Sequence, residues 1–83
     1  MIWKCVPDDR LGDESRALAL SLAAGPTQAL GLTKAALLSS SDATLDDQIA
    51  FEANAQARSG TTTDYAEGVR AFLEKRLPEF RGE

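Results

Sequence analysis

Residues 22–40, LAAGPTQALGLTKAALLSS, decide the fold class because they hold the end of one helix and the whole of the next. Gly25 and Pro26 end the first helical pattern, and Pro26 also suits the first position of a new helix, where its missing N–H costs nothing. The second helix covers about residues 26–38 and is apolar on nearly all sides, which predicts that it is the most buried helix. A serine run beginning at Ser39 then forms a loop.

Helical patterns continue on both sides of this stretch. The first helix covers about residues 11–24, where leucines recur on one face. The third covers residues 44–58, with Thr44 as its N-cap and Gly60 suited to a left-handed C-cap. The fourth covers residues 64–76. Because the loops between these helices are short, we predict an all-α fold with antiparallel neighbours.

The first seven residues differ from the rest because they are rich in apolar and β-prone types. They predict one strand or an extended lead-in over residues 1–7, before a helical region over residues 8–83 of a single domain. A lone strand cannot pair inside a helical chain, so it would need a partner strand from elsewhere. Trp3 is then either an anchor for a partner or packed on its own domain, and Cys5 either a reactive thiol or an inert small hydrophobe.

Composition limits the chemistry that these residues can support. The chain has 83 residues, a net charge of −4, one cysteine and no histidine. The negative charge argues against nucleic-acid and membrane-surface partners, and no apolar run is long enough to cross a bilayer. A zinc site cannot be assembled from one cysteine without histidine. We expect no metal, no bound cofactor and a cytoplasmic location, where a single thiol stays reduced.

The fourth helix carries the one pattern that suggests a ligand. Phe72 and Lys75 are three residues apart and share a face, and Arg76 borders it. An aromatic ring beside cations at a helix end is suited to stack a base and contact a phosphate. The alternative is that the cations complement the helix dipole and Phe72 belongs to an apolar packing stripe, which is what such stripes usually mean.

The start and middle of the same helix carry two further signals. Asp64 and Glu67 are spaced as a capping box, with aspartate in place of serine or threonine. Gly68 lies inside the helix, where glycine costs about 1 kcal/mol relative to alanine. We interpret Gly68 as a point of close approach by another helix.

Four stretches in this order resemble the C-terminal part of the enoyl-CoA hydratase/isomerase family, the crotonase superfamily. The details are most similar to the epoxyphenylacetyl-CoA isomerase branch of phenylacetate degradation. The resemblance extends from Ile2 to Gly82, and its departures are Cys5 at an aliphatic position and Glu83 where a basic residue is common. The stretches are IWKCVPDDRL (2–11), LAAGPTQALGLTKAALLSS (22–40), TLDDQIAFEANAQ (44–56) and DYAEGVRAFLEKRLPEFRG (64–82).

The resemblance implies a division of labour within the family. A spiral of ββα turns carries an oxyanion hole for the thioester enolate and the acidic residues that move protons, and both lie upstream of the matched segment. The C-terminal helices pack over the active site and join subunits into trimers. The last helix supplies an aromatic and a lysine near the adenine and phosphate of CoA, at positions matched here by Phe72 and Lys75. No catalytic residue of the family is matched in this chain.

Three functions remain open from the sequence. The first is a helical lid and oligomerisation domain that acts on acyl-CoA thioesters only within an intact enzyme; Met1 then corresponds to an internal position of a longer protein. Such a chain is expected to self-associate as a homodimer or larger assembly, or to bind a missing crotonase core. The second is a module that retains CoA or nucleotide binding, or that binds other helical proteins. The third is a free-standing enzyme.

Overall fold

The computed structural model describes residues 2–83 and shows four helices, with no strand in that range. Met1, the first residue of the predicted lead-in, lies outside the described residues. The all-α prediction is confirmed. The helices are α1 (Asp8–Ala23), α2 (Thr27–Ser39), α3 (Leu45–Ser59) and α4 (Thr63–Glu74).

Helix α1 begins three residues before the predicted start. Pro7 precedes it with φ −57°, a value already suited to a helix, and Asp8 and Asp9 occupy the first turn, where carboxylates interact favourably with the helix dipole. The lead-in is tied to this helix by Lys4, whose ammonium lies 2.8 Å from the Glu14 carboxylate. The segment before α1 therefore lies on the helix without forming a strand.

The caps of α3 and α4 show one prediction confirmed and two wrong. Thr44 caps α3 as predicted, accepting the Asp47 N–H at 3.2 Å. Thr62, and not Asp64, caps α4, because its hydroxyl accepts the Tyr65 N–H at 3.0 Å. Asp64 and Glu67 therefore do not form a capping box. Gly60 has φ −65° and closes α3 in the right-handed region, not the left-handed one.

Burial is slight and does not centre on α2. Asp64 and Ala71, both in α4, are the only buried residues between 2 and 83. The prediction that α2 is the most buried helix is wrong, because its leucines have no neighbour to cover them; Leu38 is 69% exposed. A helix that is apolar on nearly all sides needs apolar neighbours to bury it. Residues 2–83 do not supply enough of them to cover α2.

The molecule is open for its size. Its radius of gyration is 15.8 Å, whereas a globular domain of this length has about 12 Å. Its accessible surface is 6932 Å², about 2,000 Å² more than a folded monomer of this mass exposes. The four helices therefore do not enclose a core of their own.

Close helix packing joins α2 to α3 and, less extensively, α1 to α2, whereas α4 belongs to neither pair. The segment after α4, residues 77–83, turns back along it, and we call this segment the strap. Phe80 of the strap lies over Gly68: a Cβ on that glycine would be 3.6 Å from the ring. Within residues 2–83, the close neighbour of Gly68 is therefore an aromatic side chain of the strap and not the predicted helix.

Candidate functional site

The two predicted ligand residues lie at the C-terminal end of α4, Phe72 within the helix and Lys75 as its C-cap just beyond it. The Lys75 N–H donates to the Phe72 carbonyl at 3.3 Å, and the Arg76 N–H donates to the Ala71 carbonyl at 3.0 Å. These two bonds close the helix as a Schellman motif, with Lys75 in the left-handed conformation at φ 53°. The Phe72 ring is 82% exposed, and the ammonium of Lys75 makes no ion pair within residues 2–83.

Arg76 does not join this pair. Its guanidinium holds the Glu67 carboxylate through two bonds of 2.6 and 3.0 Å, and its Nε donates to Glu74 at 2.6 Å. A cation engaged in this way is poorly available to a phosphate. The prediction that Arg76 contributes to a binding surface with Phe72 is therefore not supported by its contacts.

Glu67 is held as a carboxylate by these contacts. The Arg76 hydrogen bond, followed by the backbone N–H of Glu79 at 3.0 Å, lowers the pKa of Glu67 to about 2. The carboxylates of Glu67 and Glu74, which accept from its guanidinium, raise the pKa of Arg76 above its already high value. Arg70 adds a weaker attraction at 3.9 Å. Glu67 therefore binds the chain that follows α4 over the whole physiological pH range.

An apolar groove of about 390 Å³ runs beside Phe72. Its walls come from α4, from the start of α2 and from the strap, and few polar atoms line it. Tyr65 and Val69 of α4 are about half exposed along it. The groove is lined mainly by Pro26, Ala29, Tyr65, Val69, Phe72, Leu73 and Phe80.

Asp64 is the residue that sequence reasoning missed. Its side chain is 3% exposed, and its two oxygens accept the N–H groups of Arg81 at 2.7 Å and Gly82 at 2.8 Å. The Asp64 N–H in turn donates to the Glu83 carbonyl at 2.9 Å. The available signal was Thr62, a better N-cap two residues earlier, which leaves Asp64 free for another role.

Other chemistry is limited within the described residues. No group of three or more histidine, cysteine, aspartate or glutamate side chains between residues 2 and 83 is placed to hold a metal ion. Cys5 is a free, exposed thiol. None of the helices formed by those residues has both the length and the apolar character needed to cross a membrane.

Comparison with known proteins identifies the family. The family model for enoyl-CoA hydratase/isomerase matches residues 1–83, the whole chain. The chain belongs to the enoyl-CoA hydratase/isomerase family. The resemblance of its sequence motifs to this family is therefore confirmed.

Two relatives show how much of a family member this chain represents. It is 48% identical over 82 residues to the 1,2-epoxyphenylacetyl-CoA isomerase of Escherichia coli, covering 99% of this chain and 31% of the relative. It is 43% identical over 82 residues to a probable enoyl-CoA hydratase of Rhodobacter capsulatus, covering 99% and 32%. The chain thus spans about a third of the length of the curated family members it matches.

A solved family member has the same fold over this region. The crystal structure of an enoyl-CoA hydratase from Geobacillus kaustophilus superposes with a TM-score of 0.88 at 31% identity, covering 93% of this chain and 29% of that one. The four helices are therefore those of the C-terminal helical region of a crotonase fold.

Proposed function

We propose that the chain serves as the lid and oligomerisation region of an enoyl-CoA hydratase/isomerase enzyme that acts on acyl-CoA thioesters. The observation that carries this proposal is the uncovered apolar surface. Large apolar side chains are exposed on every helix, including Leu20 of α1, Leu38 of α2, Ile49 of α3 and Leu73 of α4. Exposed apolar surface on this scale marks contact with another protein surface.

The size of the uncovered surface fits a permanent contact. The excess of about 2,000 Å² over a folded monomer equals one side of an interface in the large, obligate class. We propose that an enzyme core or further copies of the chain cover it, and that the chain alone does not catalyse the reaction. The enzyme acts in the cytoplasm, where the exposed Cys5 thiol stays reduced.

Sedimentation velocity at micromolar concentrations tests the association. We expect a dimer or larger species, because the free chain must cover its own leucines when no core is present. Leu38→Gln, at a 69% exposed position of α2, should shift the distribution toward monomer. Arg16→Gln, an exposed polar position of α1, is the control. Purely monomeric wild-type chain at these concentrations is incompatible with the proposal.

Phe72 and Lys75 are proposed to contact the adenine and phosphate of CoA in the assembled enzyme. Support comes from their adjacency at the end of α4, from the exposed ring and from the unpaired ammonium. A second candidate function follows: the free chain retains weak affinity for CoA or a nucleotide at this position. The aromatic face would stack on the base while the lysine meets the phosphate.

Titration with CoA, followed by amide chemical shifts, tests this contact. We expect shifts centred on Phe72 and Lys75. Lys75→Ala should weaken binding roughly tenfold, the cost of one charge-assisted hydrogen bond. Lys34→Ala, which removes an exposed lysine of α2, should leave the affinity unchanged. Absence of shifts in the wild-type chain at millimolar CoA excludes binding by the free chain.

A further inference from the structure

We infer that the strap, and not helix packing, sets the orientation of α4, and that Asp64 and Gln28 are the positioning residues that fasten it. The ligand consequence of this inference rests on the proposed function, because Phe72 and Lys75 lie at the far end of α4. The inference about orientation stands on the contacts alone. It begins from the absence of a close partner helix for α4 within residues 2–83.

The first attachment is at the beginning of α4. Both oxygens of the buried Asp64 carboxylate are occupied by strap N–H groups, at 2.7 and 2.8 Å. The Asp64 N–H returns a bond to the Glu83 carbonyl at 2.9 Å. Three bonds from consecutive strap residues fix the direction of the strap relative to the start of α4. A buried carboxylate that lost these donors would be left without partners at a substantial cost.

The second attachment is in the middle of α4. The Glu67 carboxylate accepts from Arg76 and from the Glu79 N–H, so it holds the chain where it turns back. At the next residue of the strap, the Phe80 ring rests on Gly68. The strap is thus held at both the beginning and the middle of α4.

The third attachment joins the strap to another helix. The Gln28 side chain, in the first turn of α2, donates through Nε2 to the Gly82 carbonyl at 3.1 Å. Gly82 has φ 77°, and a Cβ there would lie 2.7 Å from the Thr27 hydroxyl oxygen. The close approach and the left-handed conformation both favour glycine. Through this contact, the strap links α4 to the α2–α3 pair.

A helix held by a strap loses its direction when the strap is released. Phe72 and Lys75 would then sample many positions relative to α2, and a ligand would have to bring them into place. Binding groups that are not held in advance bind more weakly, because the ordering cost is paid on binding. Asp64 and Gln28 would thus act on the ligand through position, without touching it.

Residual dipolar couplings of backbone amides in the 83-residue chain measure the relative orientation of α2 and α4. In the wild type, we expect one alignment tensor to fit both helices. In Asp64→Asn and Gln28→Ala, the couplings of α4 should shrink relative to those of α2. In Asp64→Asn, the Gly82 amide, which donates to the Asp64 carboxylate, should also exchange about tenfold faster. Asp13→Asn, at an exposed α1 carboxylate without a hydrogen bond between residues 2 and 83, is the control.

Gln28→Ala keeps the test decisive if Asp64→Asn unfolds the chain, because Gln28 is exposed and its loss removes only the link to α2. Circular dichroism should show unchanged helix content in that variant. One tensor that still fits both helices in Gln28→Ala would overturn the inference.

CoA titration of the same variants separates this inference from the proposed function. We expect severalfold weaker binding in Gln28→Ala at equal helix content, which loss of stability alone would not produce. If the wild-type chain binds no CoA, the proposed contact of the free chain fails, and the dipolar couplings alone decide the role of the strap. If CoA binds and Gln28→Ala binds it equally well while its α4 couplings shrink, the positioning of Phe72 and Lys75 is rejected.

Discussion

At the scale of single residues, Gly82 is the position least able to accept a side chain. Its φ of 77° lies in the left-handed region, and a Cβ would meet the Thr27 hydroxyl. Gly82→Ala should therefore lower the free energy of unfolding by about 1–2 kcal/mol. Urea denaturation followed by circular dichroism measures the change.

Gly12→Ala is the matched control for Gly82→Ala. Gly12 lies inside α1, and nothing is within 4 Å of the position its Cβ would take. That replacement should raise stability by about 0.5–1 kcal/mol, because alanine loses less backbone entropy in a helix. Equal effects at the two glycines would show that the strap is not packed against α2.

Lys75 combines an unfavourable backbone conformation with an exposed charge. A lysine at φ 53° costs about 1 kcal/mol relative to glycine in the same conformation. We expect Lys75→Gly to raise the thermal midpoint and, if the ammonium meets a phosphate, to weaken CoA binding. Higher stability together with weaker binding in Lys75→Gly is the result expected if the strained backbone at Lys75 serves binding. A lower thermal midpoint would contradict the cost assigned to this conformation.

Glu67 makes the strap sensitive to acid. Its pKa falls from about 4.5 to about 2 in the folded chain. Its contribution to stability is therefore fully present above pH 4.5 and is lost as the pH falls toward 2. Arg76 and Arg70 are the charged groups that face it, and both stay positive over this window.

Acid unfolding of Glu67→Gln tests that contribution. The variant should lose less stability than the wild type between pH 4.5 and pH 2, since glutamine has no proton to take up. Glu79→Gln, whose side chain makes no ion pair within the described range, should follow the wild-type curve. Parallel curves for the wild type and Glu67→Gln would contradict a lowered pKa at this position.

At the scale of elements, the stability of α4 depends both on the helix propensity of its own residues and on its contacts with the strap. Gly68 weakens it locally, and a Cβ there would make an ordinary contact with Phe80 at 3.6 Å. Gly68→Ala should thus raise stability by up to about 1 kcal/mol. A decrease would indicate a closer neighbour in solution, such as a helix of a second copy. Thermal unfolding at several protein concentrations distinguishes these results.

The elements were largely predictable from the sequence, whereas the strap was not. Thr44, the Gly25–Pro26 break and the apolar periods act within a few residues of one another, so they fix helices locally. Asp64 acts on Arg81 and Gly82, and a capping-box spacing looks the same whether the carboxylate caps its own helix or a distant segment. Phe72 and Lys75 were singled out by their spacing, which alone favoured packing, and the resemblance to the family supplied the CoA role.

At the scale of the whole molecule, the open shape predicts that folding is coupled to association. A chain with a radius of gyration of 15.8 Å and two buried residues among 2–83 has little cohesion of its own. Helix content should therefore rise with protein concentration, because association stabilises the folded form by mass action. Circular dichroism at 222 nm over a hundredfold dilution series measures this; a flat response would mean that the four helices are stable without a partner. Burial in α2 was beyond sequence prediction because an apolar periodicity does not say whether a neighbouring surface covers the helix.

The uncovered leucines also have a consequence for turnover inside a cell. Under the association proposed above, unassembled copies would expose chaperone-binding and protease-accessible segments continuously, and surplus chain would be degraded faster than chain assembled with its complement. The steady-state amount of this polypeptide would then report how much of that complement the cell has made.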